Sequence, residues 1–298
     1  KKFTIKADEY EENKHFFITQ YFRNTYEQNL SRLPFVGSQV TINKVEVWVT
    51  NKTRQTEDVR EVVALQDLGE NSILFNPLVS NGTTSPYPDN KSNKLYDIIT
   101  RNAGSEDFRD PNRVISYLEN NGLRAVDDYE KTSGRKLAAS EYYINTQLGY
   151  ISLNQQLRPD EVLGIAIQYT INGKLFQVGE FATDLPPLAD SAKSKDRVLA
   201  LKLLKATSIR TTTPIWDLMM KNVYSLNAYN VSQEQFFFDV YYQDPGGGQK
   251  RYLPESPGPN PIAGKQLLQV LNLDNLNNQL DPQQDGRFDF IPNVTINP

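Results

Sequence analysis

Two runs of strand-forming residues meet at Asn172-Gly173, and that junction constrains the fold more than any other stretch of the chain. Residues 162–171 are apolar, and residues 174–181 return after the pair. An Asn-Gly pair accepts the positive φ of a tight two-residue turn, so an antiparallel hairpin is predicted. Upstream, Val45, Val47 and Val49 alternate with Glu46, Trp48 and Thr50, which predicts a strand over 41–50. The polar Asn51-Lys52-Thr53 then leads to a second strand over 59–68, and the two are expected to pair as a hairpin. Further strands are predicted at 149–153, at 198–204 and at 236–242, with a short one at the start and another near Tyr252.

Helical spacing is weaker. Phe17, Tyr21, Tyr26 and Leu30 share one face before Pro34 stops the pattern, so a helix is predicted within 16–32. Two more follow at 94–102 and 111–120, the second with Asp110 as N-cap, Pro111 at the first helical position and Gly122 as its stop. The charged stretch from Asp127 admits a helix. Residues 214–226 place Trp216, Met219, Met220 and Val223 together, and 267–280 suit a short helix. Residues 76–94, rich in Pro, Asn, Ser and Gly, read as a long loop with few apolar anchors, from which 77–92 could be removed without loss of the fold. The expected class is α+β, mainly antiparallel β with several short helices. Pro186-Pro187 and the polar run to Lys195 suggest a linker over 184–196 between subdomains 1–183 and 197–298.

Composition narrows function mainly by exclusion. Hydrophobic residues make up 38% and aromatics 11%, with 16 Tyr and 14 Phe, which suits strands with one buried and one wet face. A net charge of −4 gives no basic field for nucleic acid. With no cysteine and one histidine, thiolate and multi-histidine metal sites are excluded, and any Ser-His-acid relay must use His15. His15 lies in an aromatic run, where a packed or solvent-edge role is the plainer reading. No run approaches the ~20 apolar residues of a membrane helix. No signal peptide opens the chain, and its last residues read as a cut in mid-strand, so a fragment of a longer protein is expected.

Asp281, Gln283, Asp285, Gly286 and Asp289 follow the first part of a calcium loop, with Asp281, Asp285 and Asp289 as side-chain ligands and the Arg287 carbonyl as another. Pro292 then stands where the bidentate glutamate belongs, so a plain turn at Asp285-Gly286 competes with the calcium reading and is preferred. Glu46, Asp67, Glu70, Glu161 and Glu180 supply carboxylates, but nothing in the order of residues puts two on one cleft wall. Glu46 and Glu180 are expected to face solvent. Trp48 and Trp216 could stack on sugar, though packing roles suit both better. The glycine-rich 245–249 lacks the Lys-Ser/Thr of a phosphate loop and reads as a hairpin turn. No catalytic set emerges, no cofactor is called for, and the expectation is a protein that is not an enzyme.

A series of segments carries a more specific signal: His15-Phe16-Phe17-Ile18 with Tyr21-Phe22-Arg23, the Trp48 strand, Leu65-Gln66-Asp67-Leu68-Gly69-Glu70, Gln147-Leu148-Gly149-Tyr150-Ile151-Ser152-Leu153-Asn154, Gln177-Val178-Gly179-Glu180-Phe181, the run from Trp216 to Ser225, and Asp281-Pro282-Gln283-Gln284-Asp285-Gly286-Arg287-Phe288-Asp289-Phe290. In this order they resemble the SprA/Sov family, the giant outer-membrane translocon of the type IX secretion system of Bacteroidetes, over nearly the whole chain. The resemblance implies a very large β-barrel pore with soluble segments inserted between its strands, passing folded clients with a C-terminal signal to the cell surface. In gliding species it also implies export of surface adhesins. The implied partners are the rest of the barrel, a PorV-type barrel, a periplasmic plug and the clients. The chain lacks long lipid-facing strands, so the resemblance makes it a soluble insert, on the extracellular face by preference and periplasmic as the alternative. The family's work is conduit and gating, so no catalytic residues carry over. The competing class is a carbohydrate- or surface-binding β module of the bacterial envelope.

Overall fold

The computed structural model describes residues 3–53, 55–79, 85–100, 102–185, 197–228, 230–254 and 261–297. Strand exceeds helix, 26% to 17%, and the fold is α+β with mainly antiparallel sheets. The chain divides into two compact units, residues 1–26 with 38–225, and residues 27–37 with 226–298.

The larger unit is built on six strands: β2 (Val40–Thr50), β3 (Val59–Leu65), β4 (Tyr129–Lys136), β7 (Leu163–Ile171), β8 (Lys174–Val178) and β9 (Leu199–Lys205). Their order is β2-β4-β3-β9-β7-β8, and β2 also pairs with β7 along its length. That pairing closes β2, β4, β3, β9 and β7 into a ring, which removes most free edges. Only β3 and β9 run parallel. A Cβ built on Gly164 of β7 would touch the Ala64 Cβ of β3 at 3.4 Å, although β9 lies between the two strands. Flat neighbours two strands apart stand roughly 9–10 Å from each other, so the sheet curls tightly here. The face holding Gly164, Ala64 and Leu201 also holds Val62, Gly134 and Trp48, and Trp48 is only 2% exposed. Burying a side chain of this size is worth roughly 2–3 kcal/mol.

A second sheet places β6 (Tyr150–Leu153) between β1 (His15–Phe17) and β5 (Tyr142–Asn145). Helix α1 (Gln20–Leu30) follows β1, and the boundary between the units falls within it after Tyr26. Gly149, at φ +68°, lets the chain pass under the Phe22 ring, where a Cβ would lie 2.0 Å from a ring carbon. Helices α2 (Leu95–Thr100), α3 (Asn102–Arg109) and α4 (Val114–Asn120) bury Leu95, Ile99, Phe108, Val114 and Leu118 in the same core.

Several expectations need correction. Strands 41–50 and 59–68 form, but not as a hairpin, because β4 lies between them. The segment after Asp127 is that strand rather than a helix. Residues 3–6 form no strand. Helix α4 starts at Val114 with Arg113 as N-cap, so Asp110 and Pro111 lie in the turn ahead of it. Residues 214–226 give only a 3-10 turn, Pro214–Leu218, and then extended chain. The boundary at 184–196 does not divide the fold. Residues 186–196 lie outside the described residues, but the strand after them, β9, sits between β3 and β7, and one core includes Val178, Phe181, Val198 and Leu199.

The smaller unit has little regular structure. β10 (Tyr242–Gln243) and β11 (Gln249–Lys250) form a minimal hairpin around the Pro245–Gly248 turn. Only Leu267–Val270, one turn labelled α5, is helical within the 267–280 segment. Two buried aspartates organise its loops. Asp274 accepts the backbone N–H groups of Asp285 and Gly286, and Asp289 accepts those of Asn275 and Leu276. Such carboxylate–amide bonds replace the ladder hydrogen bonds that the segment lacks.

Candidate functional site

The carboxylates singled out in the sequence are mostly internal joints. Glu180 is buried, and a bidentate pair with Arg109 of α3 holds it, both contacts at 2.6 Å. It also accepts the Ala200 N–H at 2.9 Å and the Tyr96 hydroxyl at 3.0 Å. Burial works against the Arg109 charge, but Glu180 outweighs it and raises the guanidinium above its ordinary value. Burial and then the Glu180 charge push the Tyr96 phenol up. Glu46 is buried too, accepting the Ala182 N–H at 2.8 Å. The expectation that Glu46 and Glu180 face solvent is therefore overturned: Glu46 is bound to the Ala182 amide, and Glu180, two residues past the end of β8, is held by Arg109, Tyr96 and the Ala200 amide.

Glu70 meets Lys202 at 2.9 Å, with both side chains buried, and accepts the first helical N–H of α1 from Gln20 at 3.1 and 3.2 Å. Burial raises the Glu70 carboxyl pKa, while Lys202 and the Gln20 amide oppose the shift. Lys202 donates as well to the Gln66 carbonyl. Asp67, three residues earlier, accepts the Phe75 and Asn76 amides, and the Asn93 carboxamide ties the Asp67 and Glu70 carbonyls together. Asp67 and Glu70 do come close, but their oxygens are taken by amides and by a lysine. Glu161 instead offers its backbone carbonyl to the buried Lys205, at 2.7 Å.

His15 lies across the β1–β6 ladder from Ser152 and is buried. Ser152 Oγ stands 2.8 Å from its Nδ1, and Glu11 Oε2 3.0 Å from its Nε2. A serine nucleophile needs the reverse, with the hydroxyl on Nε2 and the acid on Nδ1. The arrangement is a packed histidine with satisfied nitrogens. Burial holds its pKa below the ordinary histidine value despite Glu11.

Trp216 is half-buried, with the Lys221 ammonium 4.3 Å from its ring centroid. Asn13, Phe16, Lys205, Arg210, Trp216 and Met219 line a cleft with room for about one water molecule.

In the smaller unit, Asp281, Asp285 and Asp289 are not brought together as ligands. The Asp289 carboxylate is spent on two backbone amides, and Asp285 accepts the Arg287 N–H at 3.0 Å. Among the described residues, no group of three His, Cys, Asp or Glu side chains could hold a metal ion. Asp274, which the sequence reading passed over, makes the turn instead, with Gly286 at φ +78°.

The same unit carries an aromatic surface. Phe236 and Phe238 stack with rings 6.4 Å apart and nearly parallel, the spacing of alternate residues on extended chain. Both rings meet Phe288, at 5.6 and 5.0 Å, and Phe236 also meets Phe290. Alternation turns Phe237, Asp239 and Tyr241 the other way. Phe237 is 84% exposed, Tyr241 and Tyr252 are also exposed, and Arg251 pairs with Asp239 at 2.6 Å beside Tyr241. The 236–242 segment is thus extended as expected, but only its last residue enters a strand. No family model and no curated protein matches this chain.

Proposed function

We propose that the chain is a soluble segment of the outer-membrane protein translocon of the type IX secretion system, helping to cap, gate or scaffold the pore that exports folded proteins. One observation carries this reading. Most of the segments that resemble the SprA/Sov family lie at joints of the larger unit. Ile18 donates to Gly149, Met220 to His15, and Gln20 to Glu70, while Glu180 pairs with Arg109. A resemblance that includes such joints is in keeping with a shared fold. Among the described residues no helix is long and apolar enough to cross a membrane. The reading places the chain at the outer membrane, on the extracellular face by preference, against the rest of the barrel, a PorV-type barrel, a plug and passing clients. It assigns no reaction and no cofactor to the chain.

The test is made in the parent protein. Excising the larger unit should stop export of clients with a C-terminal signal while the barrel still reaches the outer membrane. Undiminished export would overturn the reading. A tag in the exposed Pro245–Gly248 turn reports the side: labelling on intact cells marks the extracellular face, and labelling only after permeabilisation marks the periplasm. A second reading, a carbohydrate- or surface-binding β module, draws on the exposed Phe237, Tyr241 and Tyr252. Selective glycan binding that Phe237→Ala abolishes would favour it over the translocon reading.

A further inference from the structure

Residues 88–90 lie beside β8 and bind its edge through one backbone bond and the Asp89 and Asn90 side chains, and we propose that they block strand addition there by a second copy of this chain. Asn172 and Gly173 both have positive φ, at 50° and 74°, which makes Ile171 and Lys174 the hydrogen-bonded pair that closes a two-residue hairpin. Bonding alternates from that pair. Lys174, Phe176 and Val178 therefore turn their backbone groups toward β7, and Leu175 and Gln177 turn theirs away, with Gly179 just past the strand at φ +77°. Such an outward row is a template for another strand.

The template is already occupied. Gln177 donates its N–H to the Asp89 carboxylate at 3.3 Å and accepts the Asn90 N–H at 2.8 Å. Gly179 donates to Asn90 Oδ1 at 2.8 Å and accepts from Asn90 Nδ2 at 3.1 Å, a carbonyl it shares with Gln177 Nε2. A carboxamide carries an acceptor and donors in one plane, so Asn90 meets the Gly179 peptide as another peptide would. The Tyr169 hydroxyl pins the Pro88 carbonyl at 2.6 Å, and proline has no N–H of its own to offer an incoming chain. Without this cover the outward row is self-complementary about Gln177. A second β8 running antiparallel would set the two Gln177 residues opposite each other in an isologous pair, with the two Leu175 side chains flanking them. Leu175, already 60% exposed, would then be buried.

Hydrogen exchange and light scattering on the whole chain test the proposal. The wild type should be monomeric. Asn90→Ala should raise exchange of the Gln177 and Gly179 amides about tenfold or more and give a concentration-dependent dimer. Adding Leu175→Lys, a charge on the opened edge, should return that variant to monomer. Asp89→Ala removes one bond of the four and should show the same trend more weakly, which keeps the test intact if Asn90→Ala fails to fold. Three results would overturn the proposal: a wild type that dimerises along β8, an Asn90→Ala variant with unchanged exchange, or an opened edge that stays monomeric at every concentration.

Discussion

Arg109 and Glu180 hold helix α3 to the ring with two short bonds, and neither has water to fall back on. Removing one partner leaves the other charged and buried. Glu180→Gln should therefore cost about 3–5 kcal/mol in urea denaturation, whereas the Arg109→Met/Glu180→Leu double variant should lie much nearer the wild type. Equal losses in the two variants would show that the pair matters through shape rather than charge. His15 gives the pH prediction. Its folded pKa is depressed, chiefly by burial, below that of the unfolded chain. Between those two values the unfolded state binds more protons, so stability rises with pH across the window and falls on acidification below the ordinary histidine value. His15→Gln keeps a polar side chain against Ser152 and should flatten that part of the stability profile. A profile unchanged by the substitution would mean that the imidazole protonates without leaving its site.

At the scale of elements, the sequence is most readable where pattern and burial agree. The β7–β8 hairpin follows from Asn172-Gly173, and β2 from its alternating valines. β4 hid because its side chains are mostly polar, Tyr-Glu-Lys-Thr-Ser-Gly-Arg-Lys. It is a strand because both its edges are paired, because Gly134 fits against Val62 and Trp48, and because Lys131 finds Glu61 at 3.0 Å. Those are long-range reasons, and local propensity contains none of them. The loop over 76–94 misled for a related reason. Its asparagines looked like solvent-facing turn residues, yet Asn90 and Asn93 are buried and spend their side chains on backbone groups of other segments. Deleting 77–92, and with it Pro88, Asp89 and Asn90, should therefore destabilise the larger unit instead of leaving it folded. The Tyr169 hydroxyl, Gln177 and Gly179 would lose partners, at about 1–3 kcal/mol for each buried group left unpaired. Thermal melting of the deletion variant checks this, and a melting temperature equal to the wild type would restore the expectation of a dispensable loop. Gly149→Ala should also cost several kcal/mol, because the new methyl meets the Phe22 ring at positive φ.

The whole molecule contains two kinds of order. In the larger unit a closed ring of strands shares one core with short helices and a second sheet, and that core gathers residues from Phe16 to Met220. The smaller unit buries Leu267, Leu268, Leu276 and Ile296 but leans on carboxylate–amide bonds at Asp274 and Asp289. The sequence divided the chain in the wrong place because prolines mark a connection in the chain, not whether the next strand returns to the same sheet. Residues 27–37, which join the smaller unit from far upstream, carry no local sign of that membership. Apolar burial per residue is lower in the smaller unit, so it should open first. Both tryptophans, Trp48 and Trp216, lie in the larger unit, so tryptophan fluorescence reports on that unit alone. Urea unfolding followed by the Leu276 and Gly286 amide signals in nuclear magnetic resonance spectra should therefore begin at lower denaturant than unfolding followed by tryptophan fluorescence, a departure from two-state behaviour. Gly286→Ala, which forces a side chain into positive φ, should destabilise the smaller unit by about 1–2 kcal/mol and shift only the early transition. Asp274→Asn should shift it the same way by weakening two charge-assisted bonds, and Asp285→Ala should do so less than either. Coincident curves in the wild type, or a Gly286→Ala shift of equal size in both signals, would show that the two units unfold as one.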